Sequence, residues 1–294
     1  MKDIINIAVV NFRLSSAGKS SNQKRIIEYS EAACRRGADL ILFPEMCAAG
    51  IDIFLDPETS PEDKAALADA SGGDFSLAVA QVSAKYNAYI IYGAPEIDTK
   101  TKKLYNSAFI AGPEGIIGTY RKIHTFAGEN TWCSRGEDPF MFDTPWGPIG
   151  IGICYDSYQF PELIRFYANK GSRLYLNLSA ECEEVTKRGS RESFYNYYSL
   201  LEAAVRSNYM YIASANLTGY DKKTYFAGGS CVIGPKTDPF FETDVHYYGG
   251  SKENTQETIE ITTVDLSLAT RALFTKGRNA KEPAYQPEIY RKLL

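Results

Sequence analysis

The stretch GIGICYD at residues 150–156, followed by FPEL at residues 160–163, joins an apolar strand to a helix that opens with proline. We predict the strand over Ile149–Cys154 and the helix over Pro161–Asn169. A cysteine at such a strand end is held rigidly, and the amides after it point towards a reacting atom. Most cysteines on strands are small buried hydrophobic residues, but the polar residues that follow indicate a solvated rim here. Cys154 is therefore a candidate nucleophile.

Short apolar runs alternate with longer amphipathic stretches along the whole chain. The predicted strands are Ile4–Val10, Leu40–Phe43, Tyr89–Gly93, Ser107–Ala111, Ile149–Cys154, Leu174–Leu178, Tyr209–Ser214, Ser230–Ile233 and Thr258–Val264. The predicted helices are Ser21–Arg36, Phe75–Tyr86, Pro161–Asn169, Glu192–Asn208 and Leu266–Phe274, with Ser20 and Gln23 as a capping box for the first. These strands are too many for one simple parallel sheet. The pattern predicts an α/β fold with two sheets packed face to face and helices outside.

The domain organisation is simple. No stretch rich in Pro, Gly or Ser divides the chain, so residues 1–275 are predicted to form one domain. Residues 276–294 begin with three positive charges among their first six residues and contain two prolines and two tyrosines. We expect this segment to be a C-terminal arm that packs on a partner subunit.

Composition excludes several classes of function. Hydrophobic residues make up 44% and charged residues 23% of the 294 residues, a balance typical of globular proteins. The formal net charge of −4 provides no basic face for nucleic acid. No apolar run reaches the roughly 20 residues of a membrane-spanning helix, and the N-terminus lacks a signal-peptide core. The sequence predicts a cytoplasmic protein without nucleic-acid or membrane partners.

Two common kinds of cofactor site are also absent from the sequence pattern. The six cysteines form no Cys-x-x-Cys pair, and no cluster of histidines accompanies them, so a structural zinc site is not expected. The glycines at 150 and 152 lack the third glycine of a dinucleotide-binding motif. We therefore predict neither a metal nor a cofactor.

Two charged residues far from Cys154 in the sequence are candidates for activating its thiol. Glu45 directly follows Pro44, which ends the strand and leaves the carboxylate at the rim of the sheet. Lys122 lies in the segment GTYRKIH at residues 118–124, next to Arg121. A thiol with a pKa near 8.5 is mostly protonated at neutral pH and needs a base and a nearby cation. Each residue alone is typical of an exposed surface charge, but together they supply both requirements.

Histidine offers an alternative base. His124 and His246 are the two histidines of the chain, so a Cys–His dyad would have to use one of them. His124 lies two residues after Lys122 and would share its face on a strand, which keeps it a candidate pocket residue. Glu129, in a loop after Lys122, is by itself an ordinary loop acid.

With these residues in view, the chain resembles the nitrilase superfamily, the carbon–nitrogen hydrolases. FPE at 43–45, YRKIH at 120–124 and GICYD at 152–156 look like the family's glutamate, lysine and cysteine motifs. They occur in the family's order, with separations of 77 and 32 residues between the three functional residues. NSA at 106–108, RSN at 206–208 and GGS at 228–230 extend the resemblance over nearly the whole chain.

The resemblance implies a four-layer α-β-β-α sandwich that assembles into homodimers or larger homo-oligomers. It also implies roles: Cys154 attacks the substrate carbon, Glu45 moves protons, and Lys122 holds the oxyanion with the backbone N–H of Tyr155. A second glutamate that orients the substrate or the lysine matches Glu129, although Glu137 is also close. No cofactor is implied.

The bond that is cleaved remains open at this point. The CYD sequence at 154–156 resembles amidase and carbamoylase members rather than the Cys-Trp-Glu of true nitrilases. The leading hypothesis is an amidohydrolase that acts on a small linear amide or N-carbamoyl amine. The alternatives are a nitrilase, an ω-amidase acting on a dicarboxylate monoamide, and a non-catalytic binding protein on the same fold.

The loop after the strand Leu174–Leu178 is expected to meet the substrate, as it does in many family members. Glu181 and Cys182 are the candidate binding residues, beside Tyr155 and His124. The acids at positions 181, 183 and 184 could select an amine-bearing substrate, but a solvated loop is the simpler interpretation. A carbamoyl amino acid also stays open because basic residues follow, namely Lys187, Arg188 and Arg191.

Overall fold

Runs rich in Ile, Val, Leu and Tyr form the strands, and longer stretches with one apolar face form the helices. The computed structural model describes residues 1–183, 191–236, 244–276 and 281–292. The strands are Ile4–Arg13 (β1), Leu40–Leu42 (β2), Tyr89–Ile97 (β3), Leu104–Gly112 (β4), Gly115–Arg121 (β5), Met141–Thr144 (β6), Gly147–Ile153 (β7), Leu174–Ser179 (β8), Cys182–Glu183 (β9), Tyr211–Tyr220 (β10), Tyr225–Ala227 (β11), Cys231–Pro235 (β12), Val245–Gly250 (β13) and Thr258–Asp265 (β14). The helices are Lys19–Arg35 (α1), Asp52–Leu55 (α2), Pro61–Leu67 (α3), Asp74–Tyr86 (α4), Tyr155–Gln159 (α5), Pro161–Asn169 (α6), Arg191–Asn208 (α7) and Pro287–Tyr290 (α8), with 3-10 turns at Ala127–Thr131 and Leu266–Leu268. None of the helices in these ranges is both long and apolar enough to cross a bilayer.

The strands form two sheets that are joined at one end. In the first sheet the order is β5-β4-β3-β2-β1, with β14 antiparallel to β1. In the second the order is β10-β8-β7-β6, with β12 antiparallel to β10 and β13 beyond it. A short parallel pairing between β1 and β10 connects them, in which Phe12 lies opposite Leu217 and Arg13 opposite Thr218.

The two sheets face each other across one apolar core. Buried residues such as Ile7 and Leu42 from the first sheet join Ile151 and Leu176 from the second in a single cluster. Burying each such side chain contributes about 1.5–3 kcal/mol. Helices α1 and α4 cover the outer face of the first sheet, and α6 and α7 cover that of the second. The four layers confirm the predicted α-β-β-α sandwich.

Two details of the predicted helices are wrong. Helix α1 begins at Lys19, one residue after Gly18, and has no side-chain cap. The amide of Gln23 lies 3.1 Å from the carboxylate of Asp69 instead of capping the helix. The helix predicted at Leu266–Phe274 is a 3-10 turn over Leu266–Leu268, because Ala269 leaves helical geometry with φ −76° and ψ 73°. Arg271 then has a positive φ of 49°.

Residues 284–291 lie beside helix α6 of the same molecule. The amide of Tyr285 donates to the carbonyl of Leu273 at 2.9 Å. The guanidinium of Arg165, on α6, lies 5.8 Å from the ring of Tyr285. The domain boundary at residue 275 and the contact of residues 276–294 with a partner subunit stay predictions.

Four loops meet at one edge of the sandwich, where β2, β5, β7 and β8 end. The amide of Glu45, after β2, donates to the carbonyl of Ser179 at the end of β8, at 3.3 Å. The amide of Cys154, after β7, donates to the carbonyl of Leu178 at 2.7 Å. Lys122, after β5, is hydrogen-bonded to Glu45. The fold therefore brings the three predicted motifs together from distant parts of the sequence.

Candidate active site

The chain turns sharply at Cys154, between β7 and α5. Cys154 has φ 49° and ψ −101°, a conformation that residues with a side chain rarely adopt. Its amide donates to Leu178 and also to Oδ1 of Asn177 at 3.1 Å. Its carbonyl accepts from the amide of Ser157 at 2.8 Å. These bonds hold a strained backbone that presents the thiol beyond the end of the strand.

Asp156 anchors this turn. Its buried carboxylate accepts hydrogen bonds from the amide of Ile153 at 3.1 Å and from the hydroxyl of Tyr120 at 2.7 Å. The amide and ring Nδ1 of His124 lie 2.9 and 2.8 Å from the same carboxylate. Within the described ranges, no hydrogen bond joins the His124 ring to Cys154. The interaction with Asp156 thus occupies His124, and the alternative Cys–His dyad through His124 is not formed.

Glu45 sits where the backbone of its loop lies against β3. A Cβ atom on Gly93 would lie 2.5 Å from the carbonyl oxygen of Pro44 and 2.6 Å from Cα of Glu45. Only glycine leaves room for this approach. The following residue, Met46, has a positive φ of 54°, and the Glu45 side chain points inward with 3% of the residue exposed. The carboxylate is therefore positioned by a tight backbone contact.

We expect Gly93→Ala to displace Glu45, because the new methyl group would lie 2.6 Å from Cα of Glu45. Overpacking of this kind typically lowers the free energy of unfolding by about 1–3 kcal/mol. A catalytic group shifted by about 1 Å costs roughly 100-fold in rate, so kcat/KM should fall by at least about tenfold. Urea denaturation and ammonia-release kinetics measure the two effects. Gly128→Ala is the control, since its methyl would meet only Leu55 Cδ2 at 3.4 Å; equal losses in both variants would contradict the argument.

Lys122 is buried between two carboxylates, with 2% of the residue exposed. Its Nζ lies 2.7 Å from Oε1 of Glu45 and 2.9 Å from Oε2 of Glu129. The side-chain amide of Asn106 bridges the same acids and donates to Glu45 at 2.7 Å and to Glu129 at 2.6 Å. The backbone amide of Phe126 donates to Oε2 of Glu129 at 2.6 Å. These added hydrogen bonds offset the cost of removing the ion pair from water.

The geometry distinguishes the two candidates for the second glutamate. Glu129 is 9% exposed and contacts Lys122 directly. Glu137 is exposed and lines a separate surface groove with Arg121 and Arg135. Glu129 is therefore the acid that is joined to the buried network.

Burial and charge together determine the protonation of the site. Burial raises the pKa of the Cys154 thiol, and Glu45 and Glu181 raise it further, whereas Lys122 lowers it. Burial also raises the pKa of Glu45, against the opposing effect of Lys122. Burial lowers the pKa of Lys122, but the neighbouring acidic groups outweigh burial and raise it well above its ordinary value. The resting site thus holds a protonated thiol beside an ammonium group, so a base must take the thiol proton during attack.

Glu181 lies at the thiol, which corrects the interpretation of its loop as solvated. The residue is 8% exposed, and Cys154 Sγ lies 3.4 Å from its Oε1. Tyr197 also makes a side-chain hydrogen bond to this carboxylate. The amide of Glu181 donates to Oδ1 of Asn216 at 2.8 Å, and the following strand β9 pairs with β11. These contacts turn the side chain inward.

Burial raises the pKa of Glu181 to about 8, and this predicts a pH dependence of stability. The folded protein binds the Glu181 proton more tightly than the unfolded chain, in which a glutamate has a pKa near ~4.3. This tighter proton binding stabilises the folded protein fully below about pH 4. The stabilisation is lost as the pH rises towards 8, by on the order of 4 kcal/mol in the free energy of unfolding.

We expect Glu181→Gln to remove that loss, so that the variant gains stability relative to the wild type between pH 5 and 8. Denaturant unfolding at a series of pH values measures the difference. Glu137→Gln, at an exposed position, is the control. A constant difference between Glu181→Gln and the wild type across this range would contradict the prediction.

Two further predicted residues border the site. The ring of Tyr155 is half-buried and contacts the rings of Phe126 and Phe160. Its amide opens helix α5, where the first N–H groups have no partner within the helix. Cys182 is exposed on β9, so its thiol does not lie among the buried groups. Three residues of the predicted substrate loop lie outside the described residues, namely Glu184, Lys187 and Arg188.

Three residues of this site were not among the predicted site residues. Asn106 joins the two acids, Gly93 makes room for Glu45, and Tyr197 contacts Glu181. A polar asparagine and an unbranched glycine within otherwise apolar strands were the available signals for the first two. Tyr197 is one of three tyrosines on its helix and gave no separate signal.

Comparisons with known proteins agree with this geometry. A carbon–nitrogen hydrolase family model matches residues 6–272. An ω-amidase, NIT2-A from Xenopus laevis, is 30% identical over 78% of this chain and 80% of its own length. The human ω-amidase NIT2 is 29% identical over 88% of both chains. A nitrilase from Pyrococcus abyssi is 25% identical over 90% of this chain and 91% of its own.

Solved structures show the same fold. Nit3 of Saccharomyces cerevisiae, a member of the nitrilase superfamily, superposes with a TM-score of 0.76 at 23% identity, covering 94% of this chain and 97% of its own. An amidase from Nesterenkonia gives a TM-score of 0.73 at 19% identity, covering 100% and 98%. The residues that the family model matches include Glu45, Lys122 and Cys154. The chain therefore belongs to the carbon–nitrogen hydrolase family and is a hydrolase of carbon–nitrogen bonds other than peptide bonds.

Proposed function

We propose that this protein hydrolyses a small linear amide or N-carbamoyl amine through a cysteine acyl-enzyme and releases ammonia. The observation that carries the proposal is the meeting of three groups at one sheet edge. The thiol of Cys154 stands on a strained turn, the Glu45 carboxylate interacts with it electrostatically, and Lys122 lies 2.7 Å from Glu45. A nucleophile, a proton carrier and an oxyanion partner are the groups that amide hydrolysis needs.

In the first half of the reaction, Sγ of Cys154 attacks the substrate carbonyl carbon while Glu45 takes the thiol proton. The carbonyl oxygen gains negative charge, which the ammonium of Lys122 and the backbone N–H of Tyr155 stabilise. The intermediate then collapses: the C–N bond breaks, Glu45 gives its proton to the nitrogen, and ammonia leaves. A thioester on Cys154 remains, and Glu45 is again ionised.

In the second half, Glu45 takes a proton from water, and the resulting hydroxide attacks the thioester carbonyl. The same two donors stabilise the second oxyanion. The C–S bond breaks, the thiolate recovers the proton from Glu45, and the carboxylic acid leaves. Glu129 and Asn106 keep Lys122 and Glu45 in position throughout, since their hydrogen bonds fix both ends of the ion pair.

A second candidate function is ω-amidase activity on a dicarboxylate monoamide. It is supported by relatives that carry this name at 29–30% identity. A nitrilase activity is supported more weakly, by the relative from Pyrococcus abyssi at 25% identity. The amide, ureido and nitrile alternatives differ in the bond that is broken and can be separated by substrate alone.

The test is ammonia release by the purified protein from matched series of amides, ureido compounds and nitriles. We expect turnover of short amides or ureido compounds, and slower or no turnover of nitriles. Turnover of nitriles alone would replace the proposal by a nitrilase. Absence of ammonia from all three series would overturn it.

We propose further that the protein acts in the cytoplasm as a homo-oligomer, with residues 276–294 contributing to the subunit contact. All six cysteines are free, which agrees with a reducing compartment. A groove of about 870 Å³ between α6 and the end of the chain is lined largely by apolar atoms, including those of Phe166, Leu273 and Tyr290. Such a groove suits burial against a second copy. Sedimentation of the full chain and of a chain truncated after residue 275 tests this proposal.

A further inference from the structure

Glu181 is a buried acid that the proposed reaction does not use. Its carboxylate lies 3.4 Å from Cys154 Sγ, and its main chain is held by Asn216 and by the pairing of β9 with β11. The carboxylate therefore occupies a fixed position directly beside the nucleophile. Among the described residues, its side-chain hydrogen-bond partners are the thiol of Cys154 and the phenol of Tyr197.

The described residues of the site include more buried acidic groups than buried basic groups. Among the described residues of this cluster, the buried carboxylates of Glu45, Glu129 and Glu181 share one buried ammonium group, that of Lys122. Lys122 is already paired with Glu45 and Glu129 at 2.7 and 2.9 Å. Among the side chains that the structure describes, Glu181 forms no salt bridge. An ionised carboxylate at this depth is costly unless a cation joins it, so the site is complementary to a positively charged group.

We propose that Glu181 is a specificity-determining residue that binds an ammonium group attached to the carbon next to the scissile carbonyl, which makes small α-amino amides the preferred substrates. The inference rests on the proposed amide hydrolysis at Cys154. The preferred substrates thus carry a positive charge on the carbon next to the carbonyl group whose C–N bond is cleaved.

The position of Glu181 indicates how far from the scissile carbonyl the positive charge of the substrate lies. A carbonyl carbon poised for attack lies about 3–3.5 Å from the nucleophilic atom, and Glu181 Oε1 touches the same sulfur at 3.4 Å. The carboxylate thus faces the atoms attached directly to the carbonyl carbon. An ammonium group on the α-carbon reaches it, whereas the terminal ammonium of a long amino amide extends away. A substrate carboxylate close to the scissile bond is repelled by the same acid.

The protonation of Glu181 adds a measurable consequence. Burial raises the pKa of Glu181 to about 8, so its carboxyl group is mostly protonated at pH 7 when no substrate is bound. An ammonium group in contact favours the ionised carboxylate. Among the described residues, the titratable groups that interact with it are Cys154, Cys182, Glu45, Lys122, Tyr158, Tyr197 and Tyr198. Binding of an α-amino amide at pH 7 should therefore release close to one proton from Glu181.

The first test compares L-alaninamide with isobutyramide, in which a methyl group replaces the ammonium group at nearly the same size. The wild type should favour alaninamide in kcat/KM by at least about tenfold, and Glu181→Gln should lower this ratio by about 30-fold or more. Glu137→Gln, at an exposed position outside the site, should keep the wild-type ratio. A wild-type preference for isobutyramide, or an unchanged ratio in Glu181→Gln, overturns the inference while amide hydrolysis stands.

The second test measures binding without turnover. Calorimetry of Cys154→Ala with alaninamide in buffers of different ionisation enthalpy counts the protons released. Release of nearly one proton, absent in Cys154→Ala/Glu181→Gln, supports the inference even if no amide is turned over. Binding of alaninamide without proton release, or no tighter binding than that of isobutyramide, overturns it. Failure of ammonia release with intact binding would overturn the proposed reaction alone.

Discussion

Replacing Cys154 by alanine should lower kcat/KM for the amide substrate by at least about 10⁴-fold. The thiol supplies the covalent intermediate, and no other described nucleophile occupies the strained turn between β7 and α5. Water attacking directly would have to use Glu45 and Lys122 without the thioester stage. The measurement is ammonia release at saturating and limiting substrate, with thermal unfolding to show that the variant folds.

The matched control is Cys34→Ala, a thiol-to-methyl change at a half-buried position on helix α1. Cys34 packs on the outer side of the first sheet, far from β7. Its replacement should leave kcat/KM within about twofold. If Cys154→Ala retained more than a hundredth of the wild-type rate, Cys154 would not be the nucleophile.

Replacing Glu45 by glutamine should lower kcat by about 10² to 10⁴-fold, the range that general acid–base catalysis contributes. Glutamine keeps the size of the side chain and an oxygen for the Asn106 amide, but it cannot accept the thiol proton. Both halves of the reaction use this proton transfer, so acylation and hydrolysis should slow together. Steady-state kinetics combined with thiol alkylation rates measures the effect.

The pH profile provides a check on the role of Glu45. In the wild type, the raised pKa of Glu45 should produce an acidic limb in kcat/KM, because protonated Glu45 cannot act as the base. That limb should disappear in Glu45→Gln. A glutamine variant with more than a tenth of the wild-type kcat, or one that keeps the acidic limb, would assign the proton transfer to another group.

Most of the fold could be predicted from local patterns. Apolar runs located β2, β7 and β8, and Pro161 and the residues after it gave helix α6 with the observed bounds, Pro161–Asn169. Strand β5, which precedes Lys122, was not predicted. The connection of the two sheets through Phe12 and Leu217 could not be read from the sequence, because pairing between distant strands leaves no local signal. The false helix at Leu266–Phe274 has a similar cause: the amide of Arg271 donates to the carbonyl of Tyr209, and this long-range contact overrides helix propensity.

Some residues of the site could be predicted from the sequence and others could not, for physical reasons. Glu45, Lys122 and Cys154 follow strands, and strand ends of one sheet edge converge, so their grouping was expected. The choice of Glu129 over Glu137 depends on which side of a loop faces inward, which sequence spacing does not decide. Glu181 was interpreted as solvated because the acids around it are typical of an exposed loop. Its burial comes from the pairing of β9 with β11, a contact between distant segments.

Cys154 should form a thioester that is common to all substrates with the same acyl group. Partitioning with hydroxylamine tests it most directly, since this nucleophile converts the thioester to a hydroxamate in competition with water. Propionamide and methyl propionate should give the same ratio of hydroxamate to propionic acid, because both form one propionyl-Cys154 intermediate. Ratios that differ between the two substrates would contradict a shared acyl-enzyme and with it the proposed role of Cys154.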